Sequence, residues 1–271
     1  MVSCPYCINN HSNMQTVLFT STIFGPIHSR RLGTSLGVNL MPADGKVCSF
    51  DCLYCEAGFN AQGHGTKGLP PRAEVARLLE EKLAAMQSEG MQLDVITFSG
   101  NGEPTLHPDF DGVVDDVLRL RDEYYPQAKV SVLSNATRLH VAQVVDGLRK
   151  VDNNILKLDS AIDATVRVID RPVAKGYSVA DVVNGMKQFD GQCIVQTMML
   201  RGEYDGVSID NTTDEEVDAL LKAYQEIAPR EVMLYSIDRK TPAENLVKVQ
   251  RDELERIADR FRSAGITVQV S

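Results

Sequence analysis

Three cysteines in the first quarter of the chain have the type and spacing to bind a soft metal. Cys48, Cys52 and Cys55 fall within eight residues, separated by three and then two residues. Thiolates from one loop suit zinc or an iron–sulfur cluster. A structural zinc site takes four ligands, commonly as two pairs, and no fourth ligand follows closely here. The spacing favours an iron–sulfur cluster with one iron that lacks a protein ligand; structural zinc and a chance arrangement are the alternatives.

A second segment could bind a ligand through its backbone. Residues 99–104 read Ser-Gly-Asn-Gly-Glu-Pro and follow a predicted strand at residues 93–98. Glycine lets the backbone approach a ligand without a Cβ clash, and carbonyl or carboxylate oxygens accept hydrogen bonds from an ammonium group. Taken alone, the segment would also fit a turn that ends a strand. The cysteines make it a candidate binding site.

Together the two motifs resemble those of the radical S-adenosylmethionine (SAM) superfamily. The cysteines form Cys-x3-Cys-x2-Cys with Tyr54 just before the last one, and residues 99–104 look like the Gly-Gly-Glu-Pro motif with Asn101 at a glycine position. Residues 25–40, which begin Gly-Pro-Ile-His-Ser-Arg-Arg-Leu-Gly, resemble the segment before the cluster in the wyosine-synthase-related branch of iron–sulfur oxidoreductases. The resemblance covers roughly residues 24–108.

The resemblance implies a radical SAM enzyme and names its cofactors. Cys48, Cys52 and Cys55 would be the catalytic, metal-binding residues of a [4Fe-4S] cluster, whose fourth iron binds the amino and carboxylate groups of SAM. One electron from a donor such as flavodoxin or ferredoxin would cleave the sulfonium and give a 5′-deoxyadenosyl radical that abstracts hydrogen from a substrate. The protein's part is then to bind, to orient and to exclude water.

By the superfamily pattern, groups at the ends of successive strands hold SAM. Gly102 and Glu103 are the choices for its ammonium group. The other implied SAM contacts are Tyr54, Ser99, Gly100, Asn101, Ser134, Asn135, Asp159, Thr197, Met198 and Tyr235. Helix capping and turn formation are the alternatives for Ser134, Asn135 and Asp159. For Met198 the alternative is a place in the core.

Candidates for substrate binding are His28, Arg30, Arg31 and Lys157. Arginine suits bidentate recognition of phosphate or carboxylate, and ion pairs with acidic side chains are the alternative, including a pair of Lys157 with Asp159. We expect a small substrate: a nucleoside, a cofactor precursor or an amino acid. The alternative is a macromolecule, either a tRNA base or a protein side chain, with glycyl-radical activation as one version.

The chain departs from the wyosine synthases, which carry a second cluster on cysteines upstream of the radical motif. No cysteine lies between Cys7 and Cys48. Cys4 and Cys7 supply only two thiols, which could bind zinc, complete a cluster with His11 or be inert. Wyosine-type chemistry is therefore not expected, and Cys193 is expected in the core.

These residues must be positioned by an alternation of apolar strands and amphipathic helices that begins near residue 70. Predicted strands cover residues 36–40, 93–98, 130–133, 155–158, 193–200 and 231–237, and a short seventh covers 266–270. Predicted helices cover residues 74–88, 109–123, 138–150, 212–227 and 251–262, with a broken helical region before residue 189. This order predicts an α/β fold, a partial (β/α)6 TIM-like barrel with a short extra C-terminal strand and an N-terminal β extension. The site should lie at the carboxyl ends of the strands. We expect residues 1–24 to form the extension and residues 25–271 the radical SAM domain.

Composition excludes several classes of protein. The 271 residues are 43% hydrophobic and 24% charged, as in globular chains, which disfavours disorder. Lys and Arg number 28 against 37 Asp and Glu, and the net charge of -9 argues against a nucleic-acid coat or a membrane-surface protein. No apolar run reaches the length of about 18 residues typical of a membrane span, and no signal-peptide pattern begins the chain. We therefore expect a cytoplasmic protein.

Overall fold

The computed structural model of the protein describes residues 7–9, 17–29 and 33–271. Its strands, in chain order, are β1 (Cys7–Asn9), β2 (Val17–Phe19), β3 (Ile23–Ser29), β4 (Gly33–Val38), β5 (Val95–Phe98), β6 (Lys129–Ser134), β7 (Asn153–Lys157), β8 (Ile194–Tyr204), β9 (Val207–Asp210), β10 (Glu231–Ser236), β11 (Leu246–Lys248) and β12 (Val268–Val270).

The main sheet follows the spatial order β3-β4-β5-β6-β7-β8-β10-β12. All neighbours from β4 to β12 are parallel, whereas β3 pairs antiparallel with β4. The sheet is not closed, and β3 and β12 are its edges. The predicted α/β partial barrel of six strands with a short seventh strand and an N-terminal β extension is confirmed.

Helices cover the outer face of the sheet, and their apolar stripes form the core with it. They are α1 (Arg72–Ser88), α2 (Phe110–Tyr124), α3 (Ala142–Lys150), α4 (Asp163–Ile169), α5 (Val179–Lys187), α6 (Asp214–Ile227) and α7 (Arg251–Ser263). On α1, for example, Val75, Leu79 and Leu83 recur at helical spacing and are fully buried. Cys193 is buried in the same core, as predicted. Among the described residues no helix is long and apolar enough to cross a membrane.

A small antiparallel sheet at the carboxyl end of the barrel was missed by the sequence prediction. Strand β8 runs on to Tyr204 and pairs antiparallel with β9 on one side and β11 on the other. At Gly202, φ is +139° and a Cβ would lie 2.1 Å from the Asn245 carbonyl oxygen, so glycine permits the close approach of β11. Arg201 and Gly202 end the apolar run in the sequence, which is why the predicted strand stopped at residue 200.

The predicted N-terminal β extension packs on the edge of the barrel. Strands β1 and β2 form an antiparallel hairpin, and β3 joins the main sheet along β4. The rings of Phe19 and Phe24 stack with centroids 3.8 Å apart. Phe24 also occupies the space next to Gly37, where a Cβ would lie 2.1 Å from its ring. The predicted boundary between residues 24 and 25 falls inside β3.

Candidate active site

Cys48, Cys52 and Cys55 lie in the loop after β4, at the carboxyl end of the parallel strands. We call residues 44–58 the cysteine loop. The three thiols are free; Cys52 is buried and the other two are half-buried. Each interacts electrostatically with at least one of the others. The loop therefore gathers three thiols into one region.

The start of the cysteine loop is fixed by Gly102. The Val47 N–H donates to the Asn101 carbonyl at 3.0 Å, and the Glu103 N–H donates to the Val47 carbonyl at 3.0 Å. Gly102 has φ +145°, and a Cβ there would lie 1.8 Å from the Val47 carbonyl oxygen. A residue with a Cβ cannot occupy this position unless the Val47 carbonyl group moves. The glycine-rich segment after β5 thus sets the position of the chain just before Cys48.

The middle of the cysteine loop is held by the end of α4. The Asp51 N–H donates to the Asp170 carbonyl at 2.9 Å, and the Leu53 N–H donates to the Ile169 carbonyl at 2.9 Å. Leu53 is fully buried, and its carbonyl accepts the Ala243 N–H at 3.2 Å. These bonds fix the chain on both sides of the second cysteine.

The thiols fit an iron–sulfur cluster by their chemistry. Burial raises the pKa of Cys48 to about 12, with the nearby charge of Glu103 adding to it, and burial raises the pKa of Cys52 well above its ordinary value. A soft metal centre that bonds to the thiolates would offset this cost. In the described ranges no three His, Cys, Asp or Glu side chains are grouped to hold a single metal ion. In a cluster of several irons each thiolate bonds to a different iron, so the sulfurs need not meet at one point.

Glu103, predicted to contact SAM, has its carboxylate occupied by the protein. Its Oε1 accepts hydrogen bonds from the Thr105 hydroxyl at 2.6 Å and the Ser134 hydroxyl at 2.8 Å. Its Oε2 accepts the Asn135 N–H at 2.6 Å. Burial raises the pKa of Glu103, although these bonds lower it. The side chain thus joins the ends of β5 and β6, and it positions Ser134 and Asn135.

Asn135 reaches from the end of β6 to the first cysteine. Its Nδ2 donates to the Ser49 hydroxyl at 2.9 Å and to the Cys48 sulfur at 3.6 Å. Its Oδ1 accepts the Thr137 hydroxyl at 2.8 Å, as in a turn. Asn135 therefore lies beside the first cysteine, and its side chain also forms the hydrogen bond of a turn. We call the group around this cysteine the Cys48 side: Gly102, Glu103, Ser134 and Asn135.

The side chain of Asn101 anchors the N-terminal extension. Its Oδ1 accepts the Phe19 N–H at 2.8 Å, and its Nδ2 donates to the carbonyls of Phe19 and Pro42, both at 2.8 Å. Asn101 is fully buried and its amide is occupied by these groups, so a contact of Asn101 with SAM would have to come from its backbone. At the other end of β2, the Val17 N–H donates to the Glu56 carbonyl at 2.8 Å, next to the third cysteine.

Ser99 and Gly100 lie at the same end of β5. The Ser99 N–H donates to the Val38 carbonyl at 3.1 Å. Gly100 has φ +143°, and a Cβ there would lie 2.4 Å from the side-chain oxygen of Asn39, which itself accepts the Asn101 N–H at 3.0 Å. Both residues are half-buried at the carboxyl edge of the sheet, where they were predicted.

An ionic group lies on the other side of the loop. Lys157 forms ion pairs with Asp159 and with Asp170, at 2.7 Å for the latter, and its ammonium lies 4.4 Å from the centre of the Tyr54 ring. The Tyr54 hydroxyl donates to Asp159, whose other oxygen accepts the Met198 N–H at 2.9 Å. Burial raises the pKa of Asp170 to about 7, even though Lys157 lowers it. We call this group the Cys52 side: Tyr54, Lys157, Asp159 and Asp170.

The remaining predicted SAM contacts divide between the two faces of the sheet. The Thr197 hydroxyl is fully buried and bonds to the Leu158 carbonyl at 2.7 Å and the Tyr224 hydroxyl at 2.6 Å, on the face covered by α6. Because the hydroxyl is occupied in this way, a contact of Thr197 with SAM would have to come from its backbone. Met198 and Tyr235 are neighbours in the register of β8 and β10 and pack in the cluster of apolar residues beside the cysteine loop.

The predicted substrate residues are not brought together. Lys157 lies in the ionic group, whereas His28 is exposed on β3 opposite the second residue of β4. That is the amino end of β4, so the position of His28 argues against a role beside the cysteines. Arg30 and Arg31 lie outside the described residues, as do Cys4 and His11.

Three charged residues around the cysteine loop were not among the predicted site residues. Asp170 has no motif around it that marks it as a partner of β7. Arg171, the next residue, ion-pairs with Asp51 at 3.2 Å and lies 5.0 Å from the Phe59 ring centre and 5.3 Å from that of Tyr204. The third is Lys46, a buried lysine two residues before the first cysteine. A search of the sequence for polar residues grouped near the cysteines could have found it.

Comparison with known proteins agrees with this architecture. A sequence model of the Radical SAM superfamily matches residues 44–223. A UPF0026 protein of Synechocystis sp. is 32% identical over 225 residues, which are 81% of this chain and 77% of that protein. The chain therefore belongs to the radical SAM superfamily and to the UPF0026 family within it, and it is an enzyme of this superfamily.

Other relatives differ in length. A protein named GTPase Obg from Brachyspira hyodysenteriae is 27% identical over 265 residues, covering 96% of this chain and 36% of that protein, so the chain spans about a third of its length. Among solved structures, a radical SAM methyltransferase from Sphaerobacter thermophilus is similar with a TM-score of 0.66 at 14% identity, covering 94% of this chain and 72% of that one. TYW1 with a bound lysine–pyruvate adduct gives 0.58 at 15%, covering 86% and 75%. TYW1 is a wyosine synthase, so the resemblance to that branch extends to the fold.

Proposed function

We propose that the enzyme holds a [4Fe-4S] cluster on Cys48, Cys52 and Cys55 and binds SAM at the iron that lacks a protein ligand. When bound, the cluster and SAM would supply one-electron cleavage of the sulfonium and a 5′-deoxyadenosyl radical that abstracts hydrogen from the substrate. The observation that carries this proposal is the set of three free thiols in one loop at the carboxyl end of the parallel strands, held in place by backbone hydrogen bonds.

The chain's own residues would bind and orient these groups. On the Cys48 side, the bridge to Gly102 and the bonds of Glu103 hold the chain beside Cys48 and present the end of β6. We propose that SAM contacts the backbone of residues 99–102, together with Ser134, Asn135, Asp159, Tyr54, Met198 and Tyr235. In this proposal Glu103 acts mainly through the groups that it positions, since both of its oxygens are hydrogen-bonded within the protein.

The substrate proposed is a small molecule, with a nucleoside, a cofactor precursor or an amino acid as the classes. Two features support it: the net charge of -9 disfavours a polyanionic substrate, and neighbouring elements cover the cysteine loop at its edges. Strand β2 contacts Glu56 and the Tyr204 ring lies 6.2 Å from that of Phe59. If tRNA were the substrate, its binding would weaken steeply between about 50 and 200 mM salt. We expect no salt-sensitive binding of total tRNA over this range.

The proposal includes an electron donor such as flavodoxin or ferredoxin and a cytoplasmic location, whose reducing conditions keep thiols free. It also treats residues 25–271 as the radical SAM domain and residues 1–24 as its extension. The contact of Asn101 with Phe19 supports a structural coupling between these two parts.

Anaerobic reconstitution tests the proposal. We expect about four irons per chain and, with dithionite and SAM, release of 5′-deoxyadenosine. Changing any one of Cys48, Cys52 and Cys55 to Ala should abolish both. Cys193→Ala is the matched control, because Cys193 is a buried thiol in the helix-covered core, and it should keep both. Tightly bound zinc without 5′-deoxyadenosine in the wild type would refute the proposal.

A further inference from the structure

Lys46 closes the cysteine loop with a buried charge. Its side chain is 1% exposed, and its ammonium donates to the Gly58 carbonyl at 2.6 Å. Lys46 precedes the first cysteine by two residues and Gly58 follows the third by three, so this one hydrogen bond encloses all three thiols. A lysine is rarely buried without a compensating partner, so its presence here needs a reason.

The nearby carboxylate does not fully compensate this charge. Asp51 is the carboxylate paired with Lys46, with a long Nζ–Oδ1 distance of 3.8 Å. The same Oδ1 accepts the Asn60 N–H at 2.6 Å, and Oδ2 pairs with Arg171 at 3.2 Å. Two cations thus share one anion, and the group of Lys46, Asp51 and Arg171 carries a net charge of about +1.

The thiols are the other partners of Lys46. Lys46 lies close enough to Cys55, Cys48 and Cys52 for its charge to interact with each of them as a thiolate. A cluster bound to three thiolates is an anion, and one-electron reduction makes it more negative. A fixed positive charge at short range in a buried site stabilises the more negative state.

We propose that Lys46 is a positioning residue that links the two ends of the cysteine loop and, as a fixed cation, favours the one-electron reduced state of the bound cluster. This inference rests on the proposed function, since it requires the cluster. The electron comes from the external donor, and no bond to Lys46 forms or breaks. Asp51 is expected to oppose Lys46, because its negative charge lies 3.8 Å from the Lys46 ammonium.

The test is a redox titration of the reconstituted protein with dithionite, followed by electron paramagnetic resonance. Lys46→Met keeps the length of the side chain and removes its charge; we expect the ratio of reduced to oxidised cluster at a fixed potential to fall about tenfold, or about 59 mV for one electron. Asp51→Asn should shift the ratio in the opposite direction. Lys67→Met, which changes an exposed lysine just beyond the same loop, should leave it unchanged.

The opposite signs separate an electrostatic effect from general damage. Unchanged ratios in both Lys46→Met and Asp51→Asn, or shifts in the same direction, would overturn the inference. If Lys46→Met takes up no cluster, two other variants decide: Asp51→Asn and Lys46→Arg, which keeps the charge. A raised ratio of reduced to oxidised cluster in Asp51→Asn, together with cluster uptake by Lys46→Arg, supports the inference. Any other result overturns the inference. A wild type that binds no iron would instead refute the proposed function, and this inference with it.

Discussion

The two sides of the cysteine loop are held by different kinds of interaction. On the Cys48 side the support consists of a steric constraint and hydrogen bonds, because a backbone bridge to Gly102 and hydrogen bonds to the Glu103 carboxylate fix the chain. On the Cys52 side an ionic group adds to the backbone hydrogen bonds with the end of α4, because Lys157 is shared between two buried carboxylates. A steric support fails when an atom is added, whereas an ionic support responds to charge and pH. The loop should therefore break in different ways on its two sides.

The largest effect is expected for Gly102→Ala, on the Cys48 side. The new Cβ would lie 1.8 Å from the Val47 carbonyl oxygen, so the chain before Cys48 must move. We expect loss of most of the bound iron and destabilisation by about 1–3 kcal/mol, as for overpacked sites. Iron per chain after reconstitution and urea unfolding measure the two effects.

Gly68→Ala is the matched control for this change. Gly68 also has positive φ, +70°, but no atom lies within 4 Å of its would-be Cβ. Gly68→Ala therefore introduces a side chain at positive φ without the clash. Equal iron losses in the two variants would show that strain, and not the contact with Val47, explains the result.

A smaller loss of iron is expected for Glu103→Gln. The amide keeps the size of the side chain but turns one acceptor into a donor, which then faces the donors at Thr105, Ser134 or Asn135. An unsatisfied buried donor costs about 1–3 kcal/mol, which urea unfolding would detect. Glu244→Gln, at an exposed position, should change stability by less than about 0.5 kcal/mol. Equal stability of both variants would contradict the positioning role of Glu103.

The smallest loss of iron at neutral pH is expected for Asp170→Asn, on the Cys52 side. Its main effect is on how the stability of the protein depends on pH. The pKa of Asp170 is raised from 3.8 to about 7 by burial. Between these values the native state binds more protons than the unfolded chain, so this carboxyl lowers stability as the pH rises from about 4 to about 7. Asparagine does not titrate, so the variant should gain stability relative to the wild type across that window.

Urea unfolding at several pH values measures this difference. Asp205→Asn is the control, because Asp205 is an exposed aspartate at positive φ in the turn between β8 and β9, where asparagine fits equally well. Its stability relative to the wild type should not follow the same trend. A constant difference between Asp170→Asn and the wild type from pH 4 to 7 would contradict a raised pKa at this site.

The same comparison explains how much of the site could be predicted from the sequence. The Cys48 side is encoded in short contiguous motifs, and Gly102, Glu103 and Asn135 were all singled out. The Cys52 side joins residues from β7, from the end of α4 and from the cysteine loop. Asp170 could not be found from local sequence, because only the folded chain brings it to Lys157.

The fold shows a similar division. Hydrophobic periodicity predicted the parallel strands and helices, since each buries its own apolar face. It missed β9 and β11, because these short strands are stabilised by pairing with the extended end of β8 and have little apolar pattern of their own. The anchoring role of the Asn101 side chain could not be predicted for a related reason: its partner Phe19 lies 82 residues earlier in the chain.

The central claim is that three thiolates hold one cluster with an open iron for SAM. Electron paramagnetic resonance of the reduced, reconstituted protein before and after addition of SAM tests it most directly. We predict a signal of a reduced [4Fe-4S] cluster that changes when SAM is added, and loss of the signal in the Cys55→Ala variant. Tightly bound zinc with no cluster signal, or a cluster signal that SAM leaves unchanged, would contradict the claim.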